Sequence, residues 1–134
     1  MNKERVLKCI KMMEGAKALN MREWQHGLLR HAKTIEELHA CGNTACFAGY
    51  LAISDFFREA GGTMVTGGCP AYNDISDYEA VAEFLDISCV TAEGMVHGDL
   101  DYTGHSEFYN KPWREVTNMD VVAKLQLIFS GELV

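Results

Sequence analysis

The stretch Cys41-Gly-Asn-Thr-Ala-Cys-Phe-Ala-Gly-Tyr50 decides the fold, because it reads as the start of a buried helix. Thr44 is a favourable N-cap residue, and the pattern after it predicts one helix over about residues 45–60. A helix that is apolar over so much of its circumference is typical of a core. Glycine inside a helix costs about 1 kcal/mol, and a close crossing of another backbone would justify that cost. The small residues that form such a packing patch are Ala48, Gly49 and Ala52.

Helical patterns extend to both sides of this central segment. Apolar spacing predicts a first helix from Asn2 that fades near Asn20, and further helices begin at Thr34, Ser76, Thr91 and Thr117 or Asn118. The helices from Ser76 and Thr91 are expected to form a helical hairpin. Residues 63–73 allow at most a short β-hairpin. We therefore expect a mainly α protein in which residues 1–134 form a single domain, a compact bundle of about five to six helices around the central small-residue helix.

The charges are distributed very unevenly along the 134 residues. The net charge is −7, yet residues 1–33 carry an excess of five positive charges and residues 34–110 an excess of twelve negative charges. No Lys or Arg occurs between Arg58 and Lys111. A surface this acidic disfavours a phosphate backbone and favours basic partners. The balance predicts a protein that does not bind nucleic acid directly.

The N-terminus and the cysteines indicate an intracellular protein. Charged residues occur from Lys3 onward, and no apolar segment has the length of a signal peptide core or a membrane span. Five cysteines do not make the dense, even framework of a small secreted fold, so most are expected to be buried thiols. We expect a cytoplasmic location, no membrane partner and no cofactor. The methionine and aromatic side chains allow a homodimer.

Cys46 is a candidate nucleophile of a cysteine-dependent hydrolase or transferase. In the first turn of the predicted helix, free amide groups and the helix dipole would stabilise its thiolate. Such an enzyme needs a general base, and His39 and His97 are the candidates. Burial in the apolar row of the same helix would instead raise the pKa of the thiol and silence it. An enzyme is therefore the alternative interpretation, and a buried structural cysteine is the favoured one.

A small structural zinc module is a second alternative. His39, Cys41 and Cys46 supply three ligands of the right type within eight positions, and Cys69 is a potential fourth. Structural zinc sites usually contain two closely spaced pairs, and this set has no second pair. The pattern therefore favours a protein without a metal.

The run Cys41–Tyr50 resembles a Cys-Gly-Thr-x-Ala-Cys-x-x-Gly-Trp motif of small uncharacterised helical proteins of bacteriophages and bacteria. The first helix, the connector Met21-x-x-Trp24 and the helical hairpin are similar to that family as well. Asn43 stands where threonine is expected, and Tyr50 where tryptophan is expected. The resemblance implies a phage or bacterial origin and a small helical fold. It implies no activity for any residue.

The leading functional hypothesis is a non-enzymatic, phage-encoded binding protein. Its negative surface would engage and inhibit a bacterial host or defence protein that has a basic surface, as in counter-defence or host takeover, within the host cytoplasm. Carboxylates can occupy the places of phosphates on such a partner, and long-range attraction accelerates association. The expected contact residues are Asp74, Asp77, Glu79, Glu83, Asp86, Asp99 and Asp101.

Overall fold

The computed structural model of the chain describes residues 1–26 and 31–134. Within this part of the chain there are seven α-helices and two small antiparallel sheets, with 52% of residues helical. The helices are α1 (Lys3–Glu14), α2 (Ile35–Cys41), α3 (Phe47–Ile53), α4 (Asp55–Glu59), α5 (Asp77–Leu85), α6 (Cys89–His97) and α7 (Asn118–Ser130). The strands are β1 (Thr63–Val65), β2 (Cys69–Tyr72), β3 (Ile75–Ser76), β4 (His105–Ser106) and β5 (Lys111–Pro112).

The expectation of a mainly α bundle with at most one hairpin is wrong, because the fold is a mixture of helices and sheets. β2 lies between β1 and β3 in a three-stranded sheet, and β4 pairs with β5 in the segment that precedes α7. Each strand is only two to four residues long. Such strands are too short to show the alternation of apolar and polar residues by which sequence analysis recognises a strand.

The central helix is shorter than predicted at both ends. Cys46, and not Thr44, is its N-cap, and α3 runs only from Phe47 to Ile53. Ser54 then has an extended backbone, its hydroxyl donates to the Leu51 carbonyl at 2.7 Å, and α4 starts after it. Every residue of α3 is buried, which confirms the predicted core position of this segment.

The connector before α2 is fastened to the start of α3 by its backbone. Ala45 accepts a hydrogen bond from the Asn20 amide at 2.9 Å and donates one to the Ala18 carbonyl at 3.0 Å. The Cys46 amide donates to the Glu23 carbonyl at 3.0 Å. The next turn brings the carbonyl of Trp24 against Gly49, where an added Cβ would lie 1.5 Å from that oxygen. The close backbone approach predicted for this helix therefore occurs at Gly49, and the neighbouring backbone is the connector.

The outer helices pack in pairs, α1 along α7 and α5 against α6. α1 ends at Glu14, earlier than predicted, and the Asn118 side chain of α7 donates to the Met13 carbonyl near that end at 2.9 Å. Thr34 caps α2 and Thr117 caps α7, as their capping patterns predict. The hairpin of α5 and α6 confirms the predicted pairing of these two segments.

Candidate functional site

The α5–α6 hairpin carries a concentrated group of carboxylates on its solvent side. Glu79, Glu83 and Glu93 are exposed, and Glu83 lies one turn after Glu79 on α5. The negative charge of Glu93 and, more weakly, that of Glu79 and Asp77 raises the pKa of the Tyr78 phenol, in addition to a contribution from desolvation. The four carboxylates therefore share one surface, which we call the acidic hairpin face. Sequence analysis missed Glu93, although the missing Lys and Arg around it were a usable signal.

Several of the predicted contact residues already have partners inside the chain. Asp77 Oδ1 lies 2.9 Å from Nε2 of His97, and Asp86 Oδ2 lies 2.9 Å from the N-terminal amino group. Asp101 Oδ1 accepts hydrogen bonds from the Thr103 amide, the Thr103 hydroxyl and the His105 amide at 2.6–3.1 Å. These bonds lower the pKa of Asp101, those from Thr103 most. These three carboxylates therefore have structural roles that a partner would have to share.

The remaining predicted acids differ in position and in contacts. Glu83 approaches the side-chain amide of Asn73 at 3.4 Å, and Asp74 lies beside that residue in the turn between β2 and β3. Asp99 lies two residues after the end of α6 and is therefore not part of either helix of the hairpin. Over residues 1–26 and 31–134, no ion pair to Asp74, Glu79 or Asp99 occurs. Of the predicted acids, those of α5 therefore share a surface with Glu93.

Cys46 is a helix cap with a protected thiol. Only 2% of the residue is exposed, and Sγ accepts a hydrogen bond from the Gly49 amide at 3.4 Å. Burial raises the pKa of Cys46 to about 12, although hydrogen bonds from the backbone amides at the helix start oppose this effect. The thiol is therefore protonated near neutral pH, which is the opposite of what a nucleophile needs.

The two candidate bases for Cys46 have other partners. His39 Nε2 accepts hydrogen bonds from the Tyr50 hydroxyl at 2.9 Å and the Lys17 amide at 3.2 Å. The Tyr50 hydroxyl in turn accepts one from the Ala18 amide at 2.9 Å. His97 pairs with Asp77, but it lines the same cavity as Cys46. Tyr50 stands where the similar family has tryptophan. Its hydroxyl holds Ala18, near the start of the connector between α1 and α2.

The proposed zinc ligands lie in different surroundings. His39 is bonded to Tyr50, Cys46 caps α3, and Cys69 is buried at the start of β2 with Sγ 3.6 Å from the Pro70 carbonyl oxygen. The side chain of Cys41 lies outside the described part of the structure. Where side chains are described, His39, Cys46 and Cys69 do not form a set of neighbouring ligand atoms.

A different trio of ligand types lies in the turn after α6. Ligand atoms of Asp101, His105 and Glu107 lie within 4.8 Å of one another. The Asp101 amide also donates to the His105 carbonyl at 3.0 Å, and the Glu107 amide donates to the Asp99 carbonyl at 3.2 Å. These backbone hydrogen bonds fold the turn so that the three side chains meet, which explains the trio without an ion.

A cavity of about 510 Å³ opens where the connector meets the end of α6. Trp24 and Trp113 form walls of it, and Cys46 and His97 also line it. The His97 ring meets the edge of the Trp24 ring at a centroid distance of 5.6 Å. Sequence analysis did not predict this cavity, because its walls come from segments that are separated by up to about ninety positions and meet only through the tertiary fold.

Comparison of the chain with protein-family models, with curated proteins and with solved structures gives no match. None of the helices in the described part of the chain has both the length and the apolar character that crossing a membrane requires.

Proposed function

We propose that the protein is a non-enzymatic binding protein whose acidic hairpin face engages a basic surface of another protein. The observation that carries this proposal is the group of carboxylates on the α5–α6 hairpin, three of which act on the Tyr78 phenol. Asp77 contacts His97, and no ion pair to Glu79, Glu83 or Glu93 occurs in the described part of the chain. Carboxylates kept close together repel one another, and a basic partner relieves that repulsion. The face therefore gains from association with a basic protein surface.

The biological setting that suits such a surface is inhibition of a bacterial protein by a phage-encoded one. The target would be a host or defence protein with a basic surface, and the carboxylates would stand where nucleic-acid phosphates otherwise bind. The motif at Cys41–Tyr50 supports the phage or bacterial origin by its resemblance alone. The buried, protonated thiol of Cys46 and the separation of the zinc candidates favour this function over the two alternatives.

Charge reversal on the acidic hairpin face tests the proposal. The tagged protein is used to capture partners from bacterial lysate, and a captured partner is then purified for affinity measurements at several salt concentrations. The double variant Glu79→Lys/Glu83→Lys should weaken binding at least about tenfold, because attraction becomes repulsion. Wild-type affinity should fall steeply as salt rises.

The matched control is Glu36→Lys, which reverses an exposed carboxylate on α2, outside the hairpin. This control should keep most of the affinity. Binding that ignores salt, or that responds equally to the reversals on α5 and on α2, would show that the hairpin face is not the contact surface. Circular dichroism of each variant confirms that it is folded.

A further inference from the structure

Two arginines at one cavity have no side-chain partner within the described part of the chain, although the net charge of the protein is negative. Of the four described arginines, Arg5 donates to the Phe84 carbonyl at 2.9 Å and Arg58 binds Asp55. Neither guanidinium of Arg22 and Arg114 makes a hydrogen bond or ion pair with any residue of segments 1–26 and 31–134. Both arginines line a second cavity of about 650 Å³.

The lining of this second cavity suits an anion. Besides the two arginines, its lining includes Thr103, Gly104 and His105 and no acidic residue, and carboxylate oxygens of Asp101 and Glu107 lie within 4.8 Å of a His105 ring nitrogen. Asp101 holds one carboxylate oxygen within its own turn through three hydrogen bonds. The acids that follow the two arginines in sequence, Glu23 and Glu115, do not line this cavity. Guanidinium groups bind phosphate oxygens well, because several N–H donors face the anion in one plane.

The anion cavity adjoins the tryptophan-lined cavity. Arg22, Leu100 and Trp113 line both. The combined cleft therefore has an aromatic half, with Trp24, Trp113 and His97, and a cationic half, with Arg22 and Arg114. Glu23 also lines the aromatic half, and its carboxylate lies 3.0 Å from Nδ1 of His26. Its volume on the aromatic side, about 510 Å³, lies in the range of small-molecule sites.

Close packing on glycine positions the tryptophan walls before any ligand arrives. A Cβ on Gly98 would lie 2.4 Å from the Trp113 ring, so that ring occupies the space that a side chain at 98 would fill. The Trp24 backbone is held in the same way against Gly49. Because these walls are already ordered, the protein loses less conformational entropy when a ligand binds.

We propose that this cleft binds a nucleotide, with the planar base against the indole walls and the phosphate on Arg22 and Arg114. Aromatic side chains bind any nucleobase through its flat face, and the arginines supply the charge that a phosphate requires. The ligand can be a free nucleotide or one nucleotide of a single strand. The cleft does not include Glu79, Glu83 or Glu93, and it meets the acidic hairpin face at His97, which contacts Asp77.

Binding can be measured directly, because both tryptophans of the chain line the cleft. The full-length protein is titrated with the four ribonucleoside monophosphates, with the corresponding nucleosides and with a short single-stranded oligonucleotide. Tryptophan fluorescence and isothermal titration calorimetry follow each titration. At least one monophosphate or the oligonucleotide should bind saturably, and the nucleoside should bind about tenfold more weakly than its monophosphate. Binding of the oligonucleotide alone identifies a nucleic-acid strand as the source of the nucleotide.

Arginine variants separate this site from general charge effects. Arg22→Ala and Arg114→Ala should each weaken binding about tenfold, whereas the matched control Arg58→Ala, on α4, should not change it. These arginines are exposed, so each variant should fold, which circular dichroism checks. The proposal is overturned if neither mononucleotide nor oligonucleotide binds at millimolar concentration, or if all three arginine variants lose affinity equally.

Discussion

At the scale of single residues, Gly49 shows how the motif determines the fold. A side chain there would collide with the backbone oxygen of Trp24 at 1.5 Å, and a backbone atom cannot move aside as the end of a flexible side chain can. Gly49→Ala should therefore lower the free energy of unfolding by about 2–3 kcal/mol, despite the better helix propensity of alanine.

Urea denaturation measures this effect, with Gly15→Ala as the matched control. Gly15 has an ordinary negative φ, and its added Cβ would meet nothing closer than 3.8 Å. That change should stay within about 0.5 kcal/mol of wild type. Equal stability of the two variants would mean that the connector does not constrain α3.

Thiol alkylation tests the assignment of Cys46 as a structural cap. Cys89 is exposed, whereas Cys46 is buried and burial raises its pKa to about 12. Iodoacetamide near pH 8 should label Cys89 in the folded protein and reach Cys46 only when urea is added. Mass spectrometry of peptides from the folded and the urea-unfolded protein measures the labelling of each cysteine. Labelling of folded Cys46 as fast as Cys89 would support the cysteine-enzyme alternative instead.

At the scale of elements, α7 depends on a charged cap. Thr117 and Asp120 form a capping box, and Lys111 Nζ lies 2.9 Å from both carboxylate oxygens of Asp120. Burial opposes ionisation of Asp120, but hydrogen bonds from Thr117 and Lys111 prevail and lower its pKa. The carboxylate therefore stabilises the fold fully above the unfolded-state pKa of about 3.9 and loses that contribution as the pH falls through its lower folded-state pKa.

Asp120→Asn should accordingly be less stable than wild type at neutral pH, and the difference should shrink as the pH falls below about 4. Urea denaturation over a series of pH values measures both proteins. Lys111→Met removes one of the groups that lower the pKa of Asp120. Because the hydrogen bonds from Thr117 remain, the loss of stability on acidification should become smaller but should not disappear. A constant difference between Asp120→Asn and wild type at every pH would contradict the role assigned to this carboxylate.

The predicted helix caps at Thr34 and Thr117 are correct, whereas the helices predicted from Thr44 and Thr91 start at Phe47 and Cys89. The break at Ser54 and the shortest strands were not predicted. Thr34 and Thr117 signal caps through their own side chains, a purely local effect. The break at Ser54 lies in a largely apolar segment without a proline or glycine, although Ser54 followed by Asp55 is itself a cap signal that the prediction did not use. β3, with two residues, exists only because β2 lies beside it. The nucleotide cleft shares this dependence on distant segments, so no local pattern could have predicted it.

At the scale of the whole molecule, clustered negative charge should make stability depend on salt. Since the net charge is −7 and twelve excess negative charges lie within residues 34–110, screening should raise the unfolding temperature as salt is added. Glu79→Gln should raise it at low salt and have little effect at high salt. Glu4→Gln is the matched control, because Glu4 pairs with Lys8 at 2.9 Å and its loss removes an attraction.

Differential scanning fluorimetry at several salt concentrations follows these changes. If the two variants shift the unfolding temperature in the same direction at low salt, the hairpin carboxylates are not under mutual repulsion. The basis for binding a positive partner would then be weaker too.

The exposure of Cys89 has a practical consequence for any study of assembly. Of the four cysteines whose side chains are described, it is the only exposed one, and Val90 beside it is 76% exposed. Two molecules can therefore meet at this thiol and become covalently joined in air. A disulfide-linked dimer that disappears with reducing agent would be an oxidation product, so the homodimer allowed by the sequence should be sought by light scattering on Cys89→Ser. The same thiol also offers a place for a single fluorescent dye next to the hairpin, where docking of a partner would change its emission.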